Sequence, residues 1–507
     1  MIKHWATAAS VAALALAVGA GDAAAQKSKD TLRVAWQYTV ENVDNYFNTN
    51  REGILFSRMV FDNLIDRDPK TFKLIPNLAT AWKWIDDKTL EFELRQGVKF
   101  HNGEEFDADD VVFTLNWISD PANKVLNQSN VNWIEKAVKL DKFKVRLIAK
   151  RPFPAALEFL AIPLVMYPNE YYAKAGPKEM GLRPVGTGPY KVTKIEPAKE
   201  YTLERFDGHF KGGSKTDAKI KHIVIRTIPE MSTQIAEVLA GGLDWIWYVP
   251  ADQADRLEKV PTLKVDRAET MRVGYIGLDA AGRSSVKALS DVRVRQAIAH
   301  AIDRPALVKN LIRGDSRVIH APCFPTQFGC DDSVATKYDY NPAKAKALLA
   351  EAGFPNGFEM ELYAYRPRDW AEAIMGYLTA VGIKPKLQHM TYIAVRDKNH
   401  EGVTPSYFMD WGSYSVNDVS AILPNFFGGS PDDFAKDPEL QAWLTTGGTT
   451  VDEKVRLESY RNAVKRITER AYWLPMFSFV TNYAYTKDLD FTPFPDEIPR
   501  YYQYGWK

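Results

Sequence analysis

The stretch FEMELYAYRPRDWAEAIMGYLTAVGIKPKLQHMTYIAVRDKNHEGVTPSYFMDWGSYSVNDVSAILPNF, Phe358–Phe426, decides the fold. It opens with alternation. Phe358, Met360, Leu362 and Ala364 fall on one face, and Glu359, Glu361, Tyr363 and Tyr365 on the other. A period of two predicts a strand over Phe358–Tyr365. Arg366-Pro367 stops it, because the residue before proline is pushed out of the helical region. Asp369 is placed to cap a helix running to about Ala380. A second strand near Ile383–Met390, a helix near Ile393–His400 and a third strand, Ser406–Trp411, follow. The third strand opens into a polar loop, Gly412–Asp418. Strands alternating with helices give an α/β sheet, and in open α/β sheets ligands sit outside the carboxyl ends of the strands. Two such ends here carry Tyr365-Arg366 and Trp411, the latter followed by Ser413 and Tyr414. They offer a charged anchor, an aromatic wall and hydroxyls, with no evident catalytic group. That is a place to hold a molecule.

The chain around this stretch has 507 residues, too many for one hydrophobic core, so two or three domains are expected. Hydrophobic residues make up 46% and charged residues 25%, ordinary for a globular protein. Lys and Arg are scattered and the formal net charge is +1, so nothing argues for a nucleic-acid or membrane-surface partner. Met1–Ala25 differs from the rest. Lys3 and His4 precede an apolar run, Ala8–Ala20, and Ala23–Ala25 offers small residues for cleavage. This reads as a secretory signal, with export to the periplasm and no lipid anchor. No later stretch has the length of a membrane span; Phe159–Met166 comes nearest.

The two cysteines are Cys323 and Cys330. Export permits a disulfide between them, which would pin a turn-rich loop and contribute about 2.5 kcal/mol in the chain-entropy model. Their spacing is not C-x-x-C, which weakens a metal or redox reading. The acidic run Glu104–Asp110 superficially resembles a metal site; a helix cap at Asp107 with Asp110 close to a capping box explains it better. The histidines are dispersed. No metal and no cofactor are expected.

Elsewhere the pattern predicts a first strand at Thr31–Trp36 and a helix over Glu52–Leu64. Strands follow at Thr89–Leu94, Val98–Phe100 and Lys144–Ala149. A glycine-rich link, Gly186–Pro189, leads into strands Tyr190–Ile195 and Tyr201–Arg205. Further strands are expected at Ile223–Ile228, Leu243–Val249, Leu263–Arg267 and Val273–Leu278. Asp291 caps a helix to about Ile302. Asn341-Pro342 starts one that Gly353 ends, and the last helix spans Val451 to about Arg470. The tail beyond it is aromatic and proline-rich.

Four segments in this order resemble the solute-binding proteins of the oligopeptide/dipeptide/nickel family of bacterial ABC importers, extracellular solute-binding protein family 5. They are FDNLIDRDPKTFKLIPNLATAWKWIDDKTLEFELRQGVKFHNGEEFDADDVVFTL (Phe61–Leu115), VGTGPYKV (Val185–Val192), DVRVRQAIAHAIDR (Asp291–Arg304) and YNPAKAKALLAEAGFPNG (Tyr340–Gly357). The resemblance covers nearly the whole mature chain. It implies a two-lobed periplasmic-binding-protein clamp of α/β class with an extra subdomain inserted in the first lobe. Lobe I would comprise 26–59, 181–271 and 481–507, the insert 60–180, and lobe II 272–480. Chain crossings near Arg272 and Val480 would form the hinge. The implied function is a monomeric periplasmic receptor for a peptide, peptide-like or small organic anionic solute. It closes on the solute and delivers it to a membrane permease whose ATPase is a separate subunit. An exported hydrolase acting in the same cleft is the alternative.

The resemblance also assigns residues. Arg366, in a strand-end Arg-Pro, matches the arginine that holds a ligand carboxylate, against a surface salt bridge. Trp411 matches a cleft tryptophan, against core packing. Thr49 falls where a family threonine faces the ligand. Peptide-binding relatives carry an amine-binding aspartate where this chain has Tyr414, which puts free-amine peptides in doubt. Asp410 or Asp418 could supply the charge instead, although Asp418 also sits where it would cap a helix at Val419. Trp245, Trp247 and Tyr248 could line the cleft or pack in the core.

Overall fold

The computed structural model describes residues 30–215 and 217–507. The expected export signal, Met1–Ala25, lies outside them. The backbone is organised on a ten-stranded mixed sheet. Its centre is a long antiparallel pair, Leu263–Leu278 and Trp473–Thr486. The sequence pattern suggests two strands where the first of these runs continuously. The register shifts between Glu269 and Val273, opposite Ser478–Val480, so the strand bends at a bulge without losing its ladder on either side. Trp473–Thr486 escapes sequence reading because all of its residues are buried, leaving no alternation of apolar and polar positions.

On one side of this pair, Thr31–Trp36 lies parallel between Trp245–Ile246 and His222–Thr227, and Glu200–Arg205 and Tyr190–Glu196 continue antiparallel to the edge. On the other side, Ser406–Trp411 pairs antiparallel with Leu263–Leu278. Glu359–Ala364 and Lys384–His389 follow in parallel. The expected strand Leu243–Val249 shrinks to Trp245–Ile246. The expected strand Val98–Phe100 reduces to a single antiparallel bridge, Lys99 to Glu105, around the turn at His101–Asn102. A separate four-stranded antiparallel sheet takes the order Ala79–Trp84, Thr89–Leu94, Lys144–Ala149, Ile134–Asp141.

Period-two alternation puts the two faces of the main sheet into different cores. Met360, Leu362, Ala364, Phe408, Leu474 and Met476 pack against helices Val292–Ala301 and Arg368–Ala380. Tyr275, Tyr407, Met409 and Trp473 turn to the opposite face, against helices Tyr392–Glu401 and Glu453–Glu469. Caps set the helix starts. Asp291 and Asn341 accept from the first turns of their helices, and Asp107 with Asp110 forms a capping box for Ala108–Ser119. Asp369 is not a cap: the helix begins one residue earlier, with Pro367 at the cap. Its carboxylate sits in the first turn, at the positive end of the helix dipole. Cys323 and Cys330 are joined, their Cα atoms 5.9 Å apart.

The link Gly186–Gly188 passes over the C-terminal end of helix Arg51–Val60, and the Gly188 N–H donates to the Val60 carbonyl at 2.9 Å. A Cβ at Gly186 would lie 2.1 Å from the Val60 carbonyl oxygen, and one at Gly188 2.5 Å from that of Met59. Both contacts are with backbone, which cannot rotate away. Gly188→Ala is therefore expected to destabilise by about 1–3 kcal/mol through overpacking, read as a lower urea midpoint at unchanged slope. An unchanged midpoint would show that the link has room to move.

Candidate functional site

The parallel strands Glu359–Ala364 and Ser406–Trp411 end at the same edge of the sheet, so their carboxyl ends bring Tyr365-Arg366 beside Asp410-Trp411. The third parallel strand ends at His389, whose Nε2 lies 2.9 Å from the Arg366 carbonyl and fixes the Arg-Pro corner. A cavity of about 230 Å³ opens over this edge. Its walls come from both sides of the central strand pair. Tyr38, Thr39, Thr49, Arg51, Glu52 and Ile54 stand on one side; Tyr365, Arg366, Tyr392, Asp410, Trp411 and Tyr414 on the other; Arg272 and Tyr248 lie between. A neighbouring recess of about 460 Å³ shares Thr49, Tyr392, Trp411 and Tyr414 with it, so these four side chains are the partition.

The floor is a chain of buried ion pairs. Arg366 donates to Asp410 through Nε and Nη2. Asp410 also accepts from the Tyr365 hydroxyl at 2.7 Å and from Arg272 Nη1. Arg272 turns its Nε and Nη2 to Glu497 at 3.0 and 2.8 Å, and Arg51 Nε lies 3.2 Å from the same carboxylate. Three guanidinium charges against two carboxylates leave one positive charge. Burial alone would raise Asp410, but Arg366 and Arg272 hold its carboxyl far below the usual range. Glu497 is lowered in the same way by Arg272 and Arg51 against the effect of burial. The Arg366 guanidinium is packed among the rings of Phe479, Tyr365 and Tyr248, 4.8–5.0 Å from their centroids. Among the described residues its Nη1 makes no hydrogen bond.

Glu52 stands apart from this chain. It is the second residue of helix Arg51–Val60, 2% exposed, and its Oε1 has no hydrogen-bond partner. Burial pushes its carboxyl up to about 7, outweighing its own backbone N–H and the more distant arginines. Trp411 Nε1 is a second buried polar atom without a partner on a lining residue. The cavity thus combines aromatic walls, a net positive floor, one unpartnered carboxyl and one unpartnered N–H. Such a lining orients a small polar molecule.

Contacts also cross the mouth. Arg396 Nη1 donates to Thr49 Oγ1 at 2.8 Å, and Thr49 in turn donates to Glu41. The Tyr414 hydroxyl donates to Asn127 Oδ1 at 2.8 Å, and Arg51 Nη1 to Ser415 Oγ at 2.8 Å. Residues 413–415 all have positive φ, a left-handed turn that brings Tyr414 to the wall. Gly412 lies close beside it: a Cβ there would lie 2.4 Å from Arg51 Nη2, so a larger residue would displace that guanidinium.

Of the residues singled out from sequence, Arg366, Tyr365, Trp411, Tyr414 and Thr49 line one cavity. Two do not. Ser413 is fully buried and outside the lining, because the left-handed turn points the loop the other way at that residue. Asp418 is also outside it: its carboxylate accepts from the Ser420 N–H and pairs with Arg456 at 2.8 Å, so it is a cap and a structural ion. Asp410 lines the cavity but is saturated by arginine and tyrosine donors. Trp245 and Trp247 are core residues, and only Tyr248 of that cluster reaches the cavity. Sequence reading missed Glu52, Arg51, Arg272 and Glu497. They sit on a helix start, a bulge and a tail, where no pattern marks a charge as buried.

The model for bacterial extracellular solute-binding proteins, family 5 Middle, matches residues 73–434. The chain belongs to this family. The glutathione-binding protein of Pectobacterium atrosepticum is 27% identical over 490 residues, 93% of this chain and 92% of that protein. The dipeptide-binding protein of Pseudoalteromonas sp. SM9913, solved with Met-Leu, superposes with a TM-score of 0.85 at 22% identity, covering 94% of this chain and all of that one. The agropinic-acid complex of AgaA from A. tumefaciens R10 gives a TM-score of 0.81 at 27% identity, covering 94% of this chain and 99% of that one. Among the described residues no helix is long and apolar enough to cross a membrane.

The protonation of Glu52 is measurable as stability. In the native state the carboxyl keeps its proton to about pH 7; unfolded, it loses it near pH 4.5. The native state therefore binds more protons between these values, and stability falls as pH rises through them, by about 3 kcal/mol in all. Burial raises Asp44 and Asp110 as well, to about 6 and about 7, so the wild-type profile sums all three. Glu52→Gln should remove one share: relative to wild type, the variant should gain stability by about 3 kcal/mol between pH 5 and pH 8, read from urea unfolding across that range. Parallel profiles would mean that Glu52 is hydrated.

Proposed function

We propose that this family 5 protein is the exported, periplasmic receptor of an ABC importer. It captures a peptide-like or other small anionic solute by closing its two lobes and hands it to a membrane permease served by a separate ATPase subunit. The observation that carries the anionic reading is the single uncompensated positive charge of the buried chain from Arg366 to Arg51. A net charge in a low-dielectric cavity is costly, and a ligand carboxylate offsets it. Arg366 is the anchor. Asp410 takes its Nε and Nη2, so the carboxylate meets Nη1 alone rather than a free fork. The cavity volume suits a ligand of dipeptide or opine size, in line with the dipeptide and agropinic acid named for two of the similar structures.

Closure has a physical basis in the same geometry. The bulge at Glu269–Val273 interrupts the one strand pair that joins the two halves of the sheet, which makes it the hinge. The contacts of Arg396 with Thr49 and of Tyr414 with Asn127 span the mouth, and each biases the balance toward the closed form.

A thermal-shift panel of peptides, opine-like conjugates, sugar acids and aromatic acids tests the function. A solute at about 100 times its dissociation constant adds about 2.7 kcal/mol to native stability. Arg366→Ala should cost at least several-fold in affinity by isothermal titration; Asp410 keeps Arg272 and Tyr365, so the site stays assembled. Unchanged affinity would remove Arg366 from the site. Arg396→Ala should leave the fold intact, weaken binding by about two- to tenfold, as expected for a half-exposed polar contact worth about 0.5–1.5 kcal/mol, and enlarge the radius of gyration of the ligand-bound protein in X-ray scattering. An identical scattering profile and affinity would show that closure does not use this contact.

A further inference from the structure

The charge inventory of the cavity leaves one acidic group unaccounted for. Asp410 is bonded to two arginines and a tyrosine, Glu497 to Arg272 and Arg51, and Asp418 to Arg456 outside the cavity. Glu41, at the mouth, accepts from the Thr49 N–H and hydroxyl. Glu52 is the acidic residue of the cavity wall whose buried Oε1 has, among the described residues, neither a hydrogen-bond partner nor a cation within ion-pair distance. It is almost completely buried. An unsatisfied buried carboxyl is destabilising in the empty protein, and a structure that only had to fold would be better served by glutamine or an apolar residue there. The position is opposite in character to the floor: a positive charge in search of an anion and, across the cavity, an acid in search of a donor.

We propose that Glu52 selects a positively charged nitrogen in the solute, so that the ligand class is zwitterionic, with an ammonium on Glu52 and a carboxylate on Arg366. The assignment rests on the receptor reading above and narrows it. It also answers what replaces the acidic side chain absent at Tyr414: the acid comes from the other wall of the cavity, on the helix Arg51–Val60. The class includes a primary ammonium, as in a short peptide, and a secondary one, as in an N-carboxyalkyl amino acid; both offer N–H donors and both fit the chemistry of the two poles. Binding takes up the ionised form of Glu52 and releases the proton that the empty cavity holds there.

The groups that face Glu52 allow this to be read cleanly. They are Arg51 on its own helix, Tyr38 after the first strand, Arg272 and Tyr248 at the hinge, Arg366 and Asp410 from the far wall and Tyr501 from the tail. Arginines stay charged and tyrosines neutral between pH 5 and 8, and Asp410 stays ionised because its arginines hold it low. Glu52 is the group among them that changes charge in this interval.

The experiment uses the full mature chain and three probes: a dipeptide, its N-acetylated counterpart, and an N-carboxyalkyl amino acid, each titrated calorimetrically into wild type and Glu52→Gln. The expected result is that wild type binds at least one amine-bearing probe and binds the acetylated one at least tenfold more weakly. Glu52→Gln should lose about ten- to a hundredfold for the amine-bearing probe, the range for a charge-assisted buried hydrogen bond. Wild-type affinity for that probe should also fall below pH 7, with proton release on binding, while the variant is flat; a merely structural glutamate would not produce that slope. Equal binding of the acetylated probe, or an unchanged affinity in Glu52→Gln, overturns the assignment and leaves the receptor reading standing. Binding of amine-free sugar acids alone does the same. No response to these probes or to any anion of the wider panel overturns both. The thermal unfolding curve of Glu52→Gln, measured without probe, separates a misfolded variant from a non-binding one, and Glu52→Asp, which keeps the charge, should restore part of the affinity.

Discussion

The arrangement depends on one buried chain of charges, Arg366 to Asp410 to Arg272 to Glu497 to Arg51. Its members come from a strand end, a second strand end, the bulge of the central strand, the C-terminal tail and the first helix. None is more than 8% exposed. Removing Asp410, the one carboxylate paired with Arg366, would leave a desolvated charge, which costs about 3–5 kcal/mol. That penalty forces five distant pieces of chain to meet at one place, and the place is the mouth of the bulged strand pair. The same chain does two jobs. It ties the halves of the sheet together, and it carries one more cation than anion into the cavity floor.

Around that chain the aromatic residues act by shape. Tyr248, Tyr365 and Phe479 surround the Arg366 guanidinium and keep it out of water, which strengthens every charge interaction it makes. Trp411 and Tyr414 meet edge to face, with centroids 5.0 Å apart, and separate the cavity from the larger recess beside it. At the bulge the ladder is intact on both sides, while Tyr414, Val416 and Ala421 share a core with residues of the first strand and helix.

Much of the second half of the sheet was legible in the sequence. The alternation in Phe358–Tyr365 identified a strand and its buried face, and the Arg-Pro corner and Trp411 fell at strand ends that do converge. The cap at Asp291 and the box at Asp107 and Asp110 were readable because capping is local chemistry. The failures share a cause. Leu263–Leu278 was divided because its bulge imitates a break, and Trp473–Thr486 was missed because burial on both faces erases periodicity. Ser413 and Asp418 were placed in the cavity by proximity in sequence to Trp411. A left-handed turn and Arg456, thirty-eight positions downstream, directed them elsewhere.

By itself the sequence determined the α/β class, much of the strand and helix order and the resemblance to the family, since each of these rests on local periodicity, capping or a contiguous motif. Only the tertiary structure decided which charges are spent and which are free. Asp410 stands between Met409 and Trp411 and Glu52 between Arg51 and Gly53, and neither setting tells whether the carboxyl is paired in the fold. One is saturated by arginines that lie 44 and 138 positions away, and the other has, among the described residues, no partner for its Oε1. Whether a carboxyl is paired depends on what long-range packing brings within about 3 Å of it, and that distance is a property of the assembled sheet.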